Sequence, residues 1–323
     1  MKLKVLVEEG IYQRSLADFQ QAGDIDFVPA AREEKALAEQ VKSSQSAAVL
    51  LATDKYTGPL YDALPEGALI ARYGVGHDGV DKAIAAKKQQ HVTITPGVLD
   101  VSVAEHAVFL MGALARNIAG TDADIKKGGW LKSSGIELKD KTLLILGCGM
   151  IGRRTARIAS FGFGMNVIGY DTAELDAEQM RNEYGIGKIA ASLDEVLPVC
   201  DFVSVHLPSI EATRDFIDAD FISKMKPSAF IVNTARGGVL DEAALYDALA
   251  GGKLAGAALD VFKKEPYEPA QPQKDLRKLD NVVLASHLAS STLEASSRMA
   301  QCVIKNIRAW AKKDYNSMNI VTE

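Results

Sequence analysis

Cysteine is scarce in this chain of 323 residues: Cys148, Cys200 and Cys302 are the only three, and they lie far apart. Neither a disulfide framework nor a paired metal-binding spacing can be built from them. An excess of positive charge is missing as well. Lys and Arg number 37 against 42 Asp and Glu, a net charge of −5 with no basic block. That balance leaves no electrostatic footprint for nucleic acid. No apolar run approaches the roughly 18–20 residues needed to span a bilayer. The start, MKLKVLVEEG, turns acidic after one short apolar run and reads as a first strand, not a signal peptide. These absences predict a cytoplasmic chain that binds neither nucleic acid nor membrane.

What the chain does have is apolar sequence in short pieces. The hydrophobic share is 47% and the charged share 24%, enough for sizeable cores and incompatible with disorder. At about 100–200 residues per domain, the length predicts two domains. Strand-length runs alternate with helix-like stretches: 3–7, 26–29, 47–52, 68–73 and 92–95 in the first hundred residues, then 142–146, 166–170, 202–206, 229–233, 256–261 and 282–286. Continuous hydrophobicity within the runs indicates strands buried on both faces, as in parallel sheets. The alternation predicts α/β architecture with doubly wound sheets. Residues 100–117 read as a long helix, the Gly-rich polar stretch 121–140 as a loop, and 293–312 as an amphipathic helix that returns to the first domain.

The segment TLLILGCGMIGRR places Gly147, Gly149 and Gly152 in the spacing G-x-G-x-x-G, after a strand and opening a helix. The first glycine permits a tight turn, the second lets backbone approach a pyrophosphate, and the third lets helix and strand pack closely. Free N–H groups at the helix start then hold the phosphates. Asp171, nineteen residues beyond Gly152, ends the run VIGY. An acidic side chain there accepts from the ribose hydroxyls and repels a 2′-phosphate, so the pattern favours NAD over NADP. Arg153 and Arg154 run against that preference if either reaches the ribose; otherwise they are helix-face arginines.

Ligands of open α/β sheets bind at the carboxyl ends of strands, and three segments put unusual polar residues there. Arg236 follows a strand in AFIVNTARGGVLDE, and its fork of donors suits a carboxylate. Asp260 and Glu265 lie in and just beyond the run of GAALDVFKKEP, and His287 ends another in NVVLASHLASST. A histidine so placed is a candidate general acid or base near neutral pH. A carboxylate beside it favours the imidazolium.

With these segments in order, the chain resembles the D-isomer-specific 2-hydroxyacid dehydrogenase family over nearly its whole length. The matching stretches are RYGVGHDGVD (72–81), TPGVLDVSVAEHAVFLMGALARN (95–117), LGCGMIGRR (146–154), DFVSVHLPSIEATRDFI (201–217), MKPSAFIVNTARGGVLDEAAL (225–245), GAALDVFKKEP (256–266) and SHLASSTLEA (286–295). The resemblance implies two doubly wound domains, a Rossmann cofactor domain at 100–287 inserted into a flavodoxin-like substrate domain at 1–99 plus 288–323. It implies an NAD-dependent oxidoreductase acting on CH–OH groups of a small 2-hydroxy acid, and a homodimer formed through the cofactor domain. Arg236 would bind the substrate's carboxylate and carbonyl oxygen, His287 would exchange a proton with the C2 oxygen, and Glu265 would orient His287. Backbone N–H groups of Val75 and Gly76 would hold the carboxylate. Met150 and Ile151 would lie on the pyrophosphate with Gly147, Gly149 and Gly152, and Asp171 on the ribose. His206, Pro208 and Thr213 would border the adenosine; Thr234, Ala235 and Asp260 would face the nicotinamide.

The substrate is expected to be a small 2-oxo acid such as glyoxylate or hydroxypyruvate. The alternative is 3-phosphoglycerate oxidation, although Ala52 falls where phosphoglycerate enzymes commonly carry Arg. Arg72 and Lys55 are the nearby cations that could replace it. A reading from another class is an NADH-responsive co-repressor-like binding module. The family's usual Asn is Gly79 here, its glycines after the histidine are Ala289 and Ser290, and His77 sits at a variable position.

Overall fold

Strands of four to six apolar residues can stack in parallel only if helices cover both faces of the sheet. A computed structural model describes residues 2–322, and every strand pairing in it is parallel. The chain falls into two units. One holds the residues up to Leu99 and from Ser291 onward; the other is Asp100–Ser290.

The first unit contains β1 (Leu3–Glu8), β2 (Ile25–Ala30), β3 (Ala48–Leu51), β4 (Leu69–Arg72) and β5 (His91–Thr93), in the order β2-β1-β3-β4-β5. This is the flavodoxin-like order, with its switch point between β1 and β3. All residues of β3 and β4 are buried, Arg72 included. The helix Leu293–Ala311 rejoins this unit, burying Ala295, Met299, Val303 and Ile307 at fourfold spacing. Trp310 Nε1 donates to Gly67 O (2.8 Å), and Arg308 makes a two-point pair with Asp24 (2.9 and 2.7 Å).

The second unit contains β6 (Thr142–Leu146), β7 (Asn166–Tyr170), β8 (Ile186–Ile189), β9 (Phe202–Val205), β10 (Phe230–Asn233), β11 (Gly256–Leu259) and β12 (Val282–Leu284). Their order, β12-β11-β10-β9-β6-β7-β8, is the Rossmann order extended by one strand. Successive side chains of a strand point to opposite faces, and β6 shows the consequence. Leu143 and Ile145 enter one core, Leu144 and Leu146 the other.

Three expectations are corrected. β8 was not foreseen, because its sequence IGKI exposes Gly187 and Lys188 and carries no apolar run. The helix Ile118–Lys126 extends into the stretch read as a loop; it buries no residue, so no apolar face marks it. Residues 288–290 stay with the second unit, where Leu288 and Ala289 donate their N–H groups to Asp260 (both 2.9 Å). No helix among the described residues is long and apolar enough to cross a membrane.

Candidate active site

The loop after β6 assigns each glycine a separate task. Gly147 has φ +98°, and a Cβ there would lie 2.8 Å from His206 O; at Gly152 it would lie 2.1 Å from Gly147 O. Both positions exclude a side chain. Gly149 has nothing within 4 Å of a built Cβ, which is the open approach a pyrophosphate needs. The helix Met150–Arg157 starts there, leaving the N–H groups of Met150, Ile151 and Gly152 directed outward at its positive end. Asp171 follows β7 and accepts from Cys148 N–H (2.7 Å) and Ala173 N–H (2.9 Å). Arg153 is drawn back onto Cys148 O (2.7 Å), with its guanidinium over the Tyr184 ring.

Beyond β9, His206 Nε2 pairs with Ser204 Oγ (2.9 Å), and burial pushes the imidazole down to about 4. Thr213 closes the following loop: its hydroxyl donates to Pro208 O (2.6 Å) and accepts from Ile210 N–H (3.0 Å). After β10 the turn 234–236 is held by the side chain of Asn233, which is fully buried. Its Oδ1 accepts from Ala235 N–H and its Nδ2 donates to Arg236 O, each 3.0 Å. Asn233 was not foreseen as a site residue, since within FIVN it reads as a strand end. Thr234 is 7% exposed and its Oγ1 is buried without a hydrogen-bond partner. Gly237 follows Arg236, and a Cβ there would lie 1.9 Å from the Phe262 carbonyl carbon.

That contact joins the Arg236 turn to the segment bearing Glu265. Phe262 N–H donates to Glu265 Oε1 (3.0 Å), while Glu265 Oε2 stands 2.7 Å from His287 Nδ1. Glu242, 3% exposed, props the same loop by accepting from Lys263 N–H (2.7 Å). His287 adopts φ +54°, a left-handed conformation disfavoured for a side chain of its size. Asp260 holds it there. Its carbonyl accepts from His287 N–H (2.7 Å), and its carboxylate takes the N–H groups of Leu288 and Ala289. Asp260 is fully buried, and the structure gives it a holding task. His106 Nε2 lies 3.6 Å from Asp260 Oδ1 and has no hydrogen-bond partner.

In the first unit the loop after β4 carries Val75 and Gly76. Arg72, at the end of β4 and 2% exposed, donates through Nε and Nη2 to Gly76 O (3.1 and 3.0 Å) and through Nη1 to Leu51 O (3.0 Å). Arg72, one of the two candidate cations near Ala52, is thus engaged with backbone carbonyl groups. Gly79 is explained by its neighbour: a Cβ would lie 2.3 Å from Asp54 O, so the Asn usual there has no room. Tyr56 N–H donates to Gly79 O (2.8 Å), Glu8 accepts from Ala52 N–H (3.0 Å), and Arg32 pairs with Asp54 (2.6 Å). The 52–56 and 76–80 loops are thus one packed rim.

A dinucleotide fits the second unit on three counts: the open Gly149 approach, the free helix start, and the orphaned Thr234 hydroxyl. Among the described residues no group of His, Cys, Asp and Glu is placed to hold a metal ion.

The family model for the NAD binding domain of D-isomer specific 2-hydroxyacid dehydrogenases matches residues 108–289. A glyoxylate reductase of Korarchaeum cryptofilum is 38% identical over 320 residues, covering 97% of this chain and 94% of the relative. A D-3-phosphoglycerate dehydrogenase of Archaeoglobus fulgidus is 36% identical over 315 residues, 96% of this chain but 58% of that longer protein. Among solved structures, D-lactate dehydrogenase of Aquifex aeolicus, complexed with NAD and lactic acid, superposes with a TM-score of 0.85 at 29% identity, covering 99% of both chains. The chain therefore belongs to the D-isomer specific 2-hydroxyacid dehydrogenase family, whose named members are oxidoreductases acting on CH–OH groups, and it carries that family's NAD-binding domain.

Proposed function

We propose that the protein is an NAD-dependent D-2-hydroxyacid dehydrogenase that interconverts a small, unphosphorylated 2-oxo acid and its 2-hydroxy acid, glyoxylate or hydroxypyruvate in kind. The observation that carries this reading is the 2.7 Å pair of His287 and Glu265, set at strand ends beside the Arg236 turn and downstream of the glycine loop. When bound, the dinucleotide supplies or accepts the hydride at C2. Glu265 occupies Nδ1 of His287, which leaves Nε2 as the atom that gives a proton to the C2 oxygen, or takes one back in oxidation. Arg236 binds the substrate carboxylate and meets the charge that develops on the C2 oxygen. Val75 and Gly76 supply N–H groups to the carboxylate. The catalytic residues of this reading are Arg236 and His287; Glu265, Asp260 and Asn233 position them.

Asp171 supports NAD over NADP, because its carboxylate stands at the end of β7 and Arg153 is engaged elsewhere. Arg72, spent on carbonyl groups, supports a substrate without phosphate. The reading makes the first unit the substrate domain and the second the cofactor domain. It includes a homodimer, because Val101, Phe109, Ile118, Ile125 and Trp130 expose a large apolar area on and beside the helix Asp100–Ala115. The three unpaired cysteines accord with a reducing cytoplasmic setting.

The test is NADH and NADPH oxidation across a panel of 2-oxo acids that includes glyoxylate, hydroxypyruvate and its phosphorylated form. Turnover of the small unphosphorylated acids with NADH is expected. Preference for the phosphorylated acid would replace this reading with 3-phosphoglycerate oxidation, and a silent panel would leave only a nucleotide-binding module.

A further inference from the structure

A loop can bind an anion with no charged side chain if its peptides turn their N–H groups the same way. In the loop after β4, the carbonyl groups of the Gly74–Val75 and Gly76–His77 peptides are tied behind it. Gly74 O accepts from Thr95 N–H (2.9 Å), and Gly76 O from the Arg72 guanidinium. A trans peptide points its C=O and the following N–H in opposite directions. The tie on Gly74 O therefore turns Val75 N–H away from β5, and the tie on Gly76 O turns His77 N–H away from buried Arg72. Among the described residues the N–H groups of Val75, Gly76 and His77 have no acceptor. These three residues are half-buried, so their N–H groups are open to solvent or to a ligand.

We propose that Arg72 is the positioning residue of a three-peptide carboxylate cradle, in which His77 contributes a third N–H beside Val75 and Gly76. This rests on the dehydrogenase reading and deepens it. Arg72 acts without touching the substrate: two of its donors fix one carbonyl, and a third anchors the same guanidinium to Leu51 O at the end of β3. A planar, always-charged fork suits this task, whereas an ammonium group at the same place cannot hold two carbonyls in fixed register. Burial, Lys82 and Arg72 hold the His77 imidazole toward its neutral form. In the cradle His77 acts through its peptide.

The experiment uses the full chain with NADH. On adding oxamate, an unreactive 2-oxo acid analogue, the 15N–1H resonances of Val75, Gly76 and His77 should all move. Arg72→Lys should raise the KM for glyoxylate about tenfold and Arg72→Ala up to about a hundredfold, with kcat within threefold, as expected for lost hydrogen bonds from a charged group. Arg72→Lys carries the test if Arg72→Ala does not fold. A stationary His77 resonance or an unchanged KM in Arg72→Lys overturns the inference while wild-type turnover keeps the dehydrogenase reading intact. A wild type without turnover, with none of the three resonances moving, overturns both.

Discussion

The two sheets present different kinds of chemistry at the carboxyl ends of their strands. The second unit presents side chains, Arg236, Glu265 and His287, each held by a neighbour. The first presents peptide groups, with its one buried arginine turned inward to orient them. An acid–base step needs titratable atoms in fixed geometry, so side chains must carry it. Recognition of a carboxylate needs only donors, and backbone donors carry no side-chain entropy to lose. Under the proposed function, proton transfer falls to the second unit, and recognition of the carboxylate to the peptides of the first together with Arg236.

Three substitutions can break this comparison. The largest effect is expected at His287. His287→Ala should lower kcat by about 10²–10⁴ while NADH affinity, read by fluorescence titration, stays within about twofold. An effect confined to KM would move His287 to the recognition side. Next comes Gly79, where a Cβ would meet the Asp54 carbonyl at 2.3 Å. Gly79→Asn should cost roughly 1–3 kcal/mol by overpacking and lower the thermal midpoint by a few degrees, with kcat for bound substrate little changed. If kcat collapsed instead, the first unit would be doing more than recognition. The smallest effect is at His206. Its folded form is neutral down to about pH 4, below the ordinary value near 6.5. Its contribution to stability is therefore complete above roughly pH 6.5 and shrinks as pH falls toward 4, because the unfolded chain takes up the proton first. Thermal midpoints of wild type and His206→Asn should converge as pH drops from 7 to 5; parallel curves would show that this burial is not felt.

The same division decided what could be read from sequence. Side-chain chemistry leaves residue types at fixed spacing, so the glycine loop, Asp171, Arg236, Glu265 and His287 stood out from the residues around them. The strands that frame them were legible because each is an apolar run. Edge strand β8 and the helix Ile118–Lys126 were not, because neither buries a continuous apolar face. Holding roles were least legible. Glu242 and Arg72 reach the peptides of Lys263 and Leu51, distant in sequence, Asn233 holds the turn just after it, and Asp260 turned out to hold the His287 turn. A hydrogen bond from a side chain to a remote backbone atom leaves no periodicity to detect.

The close approach of Gly237 to the Phe262 peptide has a consequence for anyone who would rebuild this site. Arg236 cannot shift without pressing on the strand end that aims Glu265, and Glu265 in turn aims His287. Segments 233–237, 260–265 and 287–289 are therefore one transplantable block. A graft that took the three celebrated side chains and left this backbone junction behind would carry over the letters of the site and lose its spelling.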